Sequence, residues 1–189
     1  MLGDMELLII LGLVVLVGGI VVVIYNRLVR LRNLVRSSWS DIDVQLKRRY
    51  NLVPTLTETV KAYAKHEKGV FEQVTKARAQ AINAGTPGEQ SVGENFLSQS
   101  LKSLFAVAEA YPELKADANF LKLQSQFHGL EDDIEAARRY YNAVVRDYNT
   151  AIEVFPAVLL ASMLKFRQSE FFELDAPSEQ RQPPKPDFS

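Results

Sequence analysis

Apolar residues fill one unbroken run near the start of the chain and then thin into stripes. Residues 7–25 read LLIILGLVVLVGGIVVVIY, nineteen positions without a charge. As a helix this run reaches about 30 Å, the hydrocarbon thickness of a bilayer. It is predicted to be a transmembrane anchor, with Leu7, Leu8, Ile9, Val14, Val15, Val22, Ile24 and Tyr25 among the anchoring side chains. A cleaved secretory leader fits poorly. The residues ahead of the run hold Asp4 and Glu6 but no Lys or Arg, and 21–25 lacks a small-residue cleavage site. Gly12, Gly18 and Gly19 form no GxxxG pair, so no dimer is read from the anchor itself.

Beyond the anchor the pattern becomes helical in period. Leu28, Leu31, Val35, Trp39, Ile42, Leu46, Val53, Leu56, Val60 and Tyr63 recur at steps of three and four or their sum. No Gly, Pro or turn cluster separates them from the anchor, so one helix is expected to run on to about residue 66, kinked at Pro54. Val70, Val74, Ala77 and Ala81 mark a second helix that ends at a turn over 83–88. A third is expected from about Val92 to Tyr111, with Phe96, Leu97, Leu101, Leu104, Val107 and Ala108 inward and Pro112 as its boundary. The fourth carries the longest stripe: Phe120, Leu123, Phe127, Leu130, Ile134, Ala137, Tyr141, Val144, Tyr148, Ile152 and Phe155. Pro156 ends or kinks it, and 157–172 form a short apolar segment whose contacts are left open. The Pro-, Gln- and Ser-rich stretch 176–189 reads as a disordered tail.

These elements predict an all-α fold: an N-terminal transmembrane helix followed by an elongated antiparallel four-helix bundle of long helices. The expected division is 1–26 for the short N-terminus and anchor, 27–175 for the bundle and 176–189 for the tail. Trp39, Ile42, Leu46, Phe120, Phe127, Ile134, Tyr141 and Tyr148 are its expected packing residues.

Charge adds a direction. Residues 27–80 hold twelve Lys/Arg against five Asp/Glu, and 81–189 hold ten against sixteen, so the basic half lies next to the anchor. Arg27, Arg30, Arg32 and Arg36 follow the anchor directly, which by the positive-inside rule puts the C-terminal domain in the cytoplasm of a cell-membrane protein. The same arginines are expected to touch lipid head groups. That orientation rests on one charge rule, and a domain on the outer side stays open.

The residue types exclude much chemistry. With no cysteine, disulfides, thiolate metal sites and cysteine nucleophiles are ruled out. His66-Glu67 opens like a zinc-protease helix, but Val70 occupies the place of the second histidine. His128 precedes Glu131 by three residues, the reverse of a di-iron bundle's order. Both histidines are read as helix-surface residues. Glu131, Asp132, Asp133 and Glu135 lack the glycine and spacing of a calcium loop and read as a solvated face able to pair with Arg138 and Arg139. The glycines suit no phosphate loop, and the chain after the anchor is nearly neutral, so no cofactor, metal or nucleic acid is expected. Tyr141-Asn142 and Tyr148-Asn149 repeat at seven residues and place both tyrosines on one stripe. Core packing is the plainer reading of that repeat, and a polar binding groove is the other.

Several segments in order resemble the LemA family. They are Tyr25-Asn26 with Leu28-Val29 and Leu31-Arg32-Asn33, then Trp39 with Ile42-Asp43-Val44-Gln45-Leu46-Lys47-Arg48-Arg49-Tyr50. Leu52-Val53-Pro54, Val60-Lys61, Tyr63, His66-Glu67, Glu109-Ala110-Tyr111-Pro112 and Leu114-Lys115-Ala116 follow. Ala137-Arg138-Arg139, Tyr141-Asn142, Tyr148-Asn149-Thr150 and Phe155-Pro156 complete the set, which covers about residues 25–172. The resemblance implies a membrane anchor and a four-helix soluble domain, with no catalytic residues to carry over. By analogy with a relative in magnetosome formation it also implies a part in organising membranes. Asn51 departs from the family's usual Asp and puts a local hydrogen bond or helix-end contact in doubt.

The expected function is that of a non-enzymatic membrane-anchored scaffold, forming homo-oligomers or organising partner membrane proteins. A lipid-binding, membrane-remodelling protein is the alternative, and a metal-dependent hydrolase a remote one.

Overall fold

The computed structural model describes residues 2–173, and the tail expected over 176–189 lies outside them. Every element among the described residues is helical: α1 (Leu2–Tyr63), α2 (Lys68–Ile82), α3 (Pro87–Glu109), α4 (Pro112–Lys115), α5 (Ala118–Glu153) and α6 (Ala157–Met163). The chain divides into two compact units. Unit 1 combines Met1–Asp41 with Arg139–Ser169, and unit 2 combines Ile42–Arg138 with Glu170–Ser189. Both α1 and α5 therefore contribute residues to each.

Helix α1 holds 62 residues and continues through Pro54. A proline there cannot bond the carbonyl four residues back, that of Tyr50. Arg78 Nε of α2 donates to this carbonyl at 2.8 Å instead. The vacancy in the ladder is filled by a neighbouring helix, which explains why α1 does not stop.

Local signals set the other boundaries. Thr86 caps α3 by accepting from Glu89 N at 3.2 Å, Glu89 accepts from Gly85 N at 2.8 Å, and Pro87 takes the first helical position. The expected turn over 83–88 thus contains a helix start, and α3 begins five residues before the expected Val92. Asp117 accepts from Phe120 N at 2.9 Å and caps α5.

Unit 2 is built around the inner faces of α1, α2, α3 and α5. Ile42, Leu46, Leu56, Val60, Val74, Leu97, Leu104, Phe120, Phe127 and Ile134 are buried there. The rings of Phe120 and Phe127 lie 6.3 and 6.0 Å from that of Phe105. Helices α2 and α3 meet at Gly93, where an added Cβ would stand 2.8 Å from Ala81 Cα. Only glycine lets the two backbones approach so closely.

In unit 1, α1 and α5 pair through buried Leu28, Val35, Tyr141, Val144 and Tyr148. The stripe of α5 does not hold to its expected end: Phe155 is 80% exposed. The helix has finished at Glu153, so the period that placed Phe155 inward no longer applies.

Candidate functional site

Unit 2 contains a polar knot in its apolar interior. Arg49 and Tyr50 fall three and four residues after Leu46, on the buried side of α1. Arg49 is 1% exposed and Glu94 of α3 is fully buried. Arg49 donates to Glu94 Oε2 at 2.8 Å and to Ser98 Oγ at 2.9 Å, and pairs with Glu131 Oε1 of α5 at 2.6 Å. The Tyr50 hydroxyl donates to Glu94 Oε1. Gln90 Nε2 donates to the Tyr50 hydroxyl at 2.6 Å, to Glu94 Oε1 at 3.1 Å and to the Ala81 carbonyl at 3.1 Å. With Arg78 on the Tyr50 carbonyl, the knot joins α1, α2, α3 and α5.

The electrostatics follow from this enclosure. Burial raises the Glu94 carboxyl above the ordinary range, while Arg49, Tyr50 and Gln90 pull it back down. Burial first, then the Glu94 charge, hold the Tyr50 hydroxyl well above the usual tyrosine range. Tyr50 therefore stays a protonated donor at neutral pH. The Arg49 Nε atom is buried without a partner. A buried pair of this kind contributes little net stability but strongly disfavours packings that separate its members. Beside Arg49 lies a cavity of about 370 Å³, walled by Leu101, Phe105 and Phe127 and edged by Lys102 and His128.

Unit 1 carries the second feature, where the chain after α6 runs back along α5. The Tyr148 hydroxyl donates to the Arg167 carbonyl at 3.0 Å. Asn149 Nδ2 donates to the Ser169 carbonyl at 3.0 Å, and Ser169 N donates to Asn149 Oδ1 at 2.9 Å. The Tyr148-Asn149 pair thus clamps the returning segment. Burial raises the Tyr148 hydroxyl, against the lowering effect of the Arg32 and Arg36 charges. Tyr141 is buried with its ring 5.3 Å from that of Trp39, itself half-buried.

The expected anchor residues Leu7, Leu8, Ile9, Val14, Val15, Val22 and Tyr25 are exposed, and Ile24 is half-buried. Arg27, Arg30 and Arg36 are exposed, whereas Arg32 is half-buried with its guanidinium 4.9 Å from the centre of the Phe166 ring. Asn51 is exposed within α1, away from either helix end. His128 is exposed on α5, and His66 lies in the turn after α1 rather than on a helix. The acidic stretch from Glu131 is exposed but does not face solvent alone, because Glu131 reaches the buried Arg49. Among the described residues no three His, Asp or Glu side chains gather as metal ligands would. The knot escaped sequence reasoning, although charged residues at stripe positions 49 and 94 were its visible trace.

The magnetosome protein MamQ of Magnetospirillum gryphiswaldense is 23% identical, over 90% of this chain and 73% of its own length. Magnetosome protein MamQ 2 of Paramagnetospirillum magneticum is 24% identical, over 79% of this chain and 64% of its own. Protein LemA of Metamycoplasma hominis is 25% identical, over 78% and 68%. The chain thus spans about two thirds to three quarters of the length of these relatives. The profile of the LemA family matches residues 38–188, most of the chain, and the protein belongs to the LemA family.

Proposed function

We propose that this LemA-family chain is a membrane-tethered, non-enzymatic scaffold that assembles with copies of itself or organises partner membrane proteins. Its span is residues 7–25 in the inner membrane, and the helices that follow face the cytoplasm, with α1, α2, α3 and α5 as a four-helix bundle. The observation that carries the reading is α1 itself. One helix bears apolar side chains exposed on every side over 7–23 and then enters the buried core of unit 2. A helix apolar all round calls for lipid as its solvent. The polar knot supports a structural role, because Arg49 directs its charge to Glu94 and Glu131 within the protein. The four arginines after the span, with no Lys or Arg before it, support the cytoplasmic orientation.

Light scattering after size exclusion of the full-length protein in mild detergent tests the assembly. A discrete particle of several copies is expected. A monomer at every concentration would remove self-assembly from the proposal and leave capture of a different membrane protein.

A further inference from the structure

A stripe of large apolar side chains at the end of unit 1 has no cover. Phe155, Leu159 and Met163, spaced by four residues, are 80%, 60% and 77% exposed, with Val158 and Leu164 exposed beside them. The opposite side of α6, Ala157 and Ala161, is buried. The small side chains are thus inward and the large apolar ones outward, the reverse of what water as sole solvent favours.

The pairing of α1 and α5 within unit 1 tells where this stripe lies. Trp39 meets Tyr141. Seven residues back along α1 and seven forward along α5, Arg32 stands near Tyr148: its guanidinium covers Phe166, and Tyr148 bonds the adjoining Arg167 carbonyl. A second step of seven reaches Tyr25 on α1 and the turn that begins after Glu153, the last residue of α5. The chain agrees on its return, where the Phe166 ring lies 6.4 Å from that of Tyr25. Tyr25 is the last residue of the uncharged run. The α5–α6 turn is therefore level with the end of the span. Exposed Lys165 and Arg167 follow the stripe, and Arg27 and Arg30 follow Tyr25, so cations flank the apolar surface where phosphate head groups would lie.

We propose that the turn formed by residues 154–164 is a second membrane contact, with Phe155, Leu159 and Met163 inserted shallowly into the same bilayer leaflet that the anchor leaves at Tyr25. Aromatic rings at the boundary, an apolar stripe below and basic residues above match an interfacial element that enters about 5–10 Å, to the head-group and acyl boundary. The contact rests on the reading of residues 7–25 as a span. It adds to the tether a fixed attitude of unit 1 against the lipid surface.

The absence of cysteine makes the test direct, since each introduced cysteine is unique. Full-length L159C, M163C, V15C and V92C, each carrying an environment-sensitive fluorophore, are reconstituted into vesicles of phosphatidylcholine and phosphatidylglycerol. Val92 is exposed on α3 and serves as the aqueous control. Nitroxide lipids labelled near the head group are expected to quench L159C and M163C several-fold more than V92C, and more than lipids labelled deep in the acyl chain do. V15C should respond most to the deep label. If V15C is quenched deeply while L159C and M163C are as open to aqueous iodide as V92C, the second contact is overturned and the tether stands. Labels at 159 and 163 shielded from both lipid nitroxide and iodide would mean that protein covers the stripe, which also overturns it. A V15C label untouched by deep nitroxide would overturn the span, and the second contact with it.

Discussion

The Tyr50 hydroxyl shows how one buried group ties stability to pH. It is held protonated by burial and by the Glu94 charge, so its folded-state proton affinity exceeds that of an unfolded tyrosine. Between the ordinary tyrosine value of about 10 and the raised one, unfolding releases a proton that the folded chain keeps. Stability contributed by Tyr50 is thus complete below the ordinary value and declines as pH rises toward the folded one. Tyr50→Phe leaves Glu94 and Gln90 each short of a partner and is expected to cost about 1–3 kcal/mol at neutral pH. Its stability should then fall less steeply than that of the parent chain above pH about 10. Urea-unfolding midpoints of both proteins across neutral and alkaline pH check the prediction. Equal alkaline slopes would contradict a hydroxyl held in the knot.

At the scale of elements, two glycines in helices meet opposite surroundings. Gly93 of α3 faces the Ala81 backbone of α2 at a distance that leaves no room for a methyl group. Gly129 of α5 has nothing within 4 Å of an added Cβ. Gly93→Ala must part the two helices and is expected to destabilise by about 1–3 kcal/mol, as overpacking does. Gly129→Ala relieves the entropy cost of glycine in a helix and is expected to stabilise by about 0.5–1 kcal/mol. Denaturant unfolding reads both, and a neutral Gly93→Ala would mean that α2 and α3 are not packed as closely as described. Pro54 gives the same lesson about context. A helix-breaking residue is accommodated because Arg78, from another element, bonds the carbonyl that the proline leaves open.

For the whole molecule, the proposed span over 7–25 is expected to govern partition. It stands without protein cover, with Val14 and Val15 near its middle and both exposed. Arginine at the centre of a span costs about 3 kcal/mol in insertion. The double variant Val14→Arg with Val15→Arg is expected to leave the membrane fraction, whereas the parent chain stays in the pellet after a high-salt wash. Retention of the double variant would mean that surfaces other than the span hold the protein to the membrane.

Residue order alone determined the helical class, the apolar run and most helix positions, because periods of three and four and an uncharged stretch are local properties. The LemA resemblance was legible for the same reason, its motifs being short and in order. The start of α3 was written in Thr86, Pro87 and Glu89, a capping pattern concealed inside what reads as a turn. The tertiary structure alone decided the knot, since Arg49 and Glu94 are 45 residues apart and pair only once α1 and α3 are packed. It also decided that Glu131, on an exposed acidic face, turns inward to Arg49. The fate of residues 154–169 was likewise a matter of three dimensions. Periodicity ran Phe155 into the core, but α5 ends before it, and the Tyr148-Asn149 clamp returns the chain and leaves the large apolar side chains of α6 facing out. A stripe tells which side of a helix is apolar, and only the surrounding packing tells what solvent that side meets.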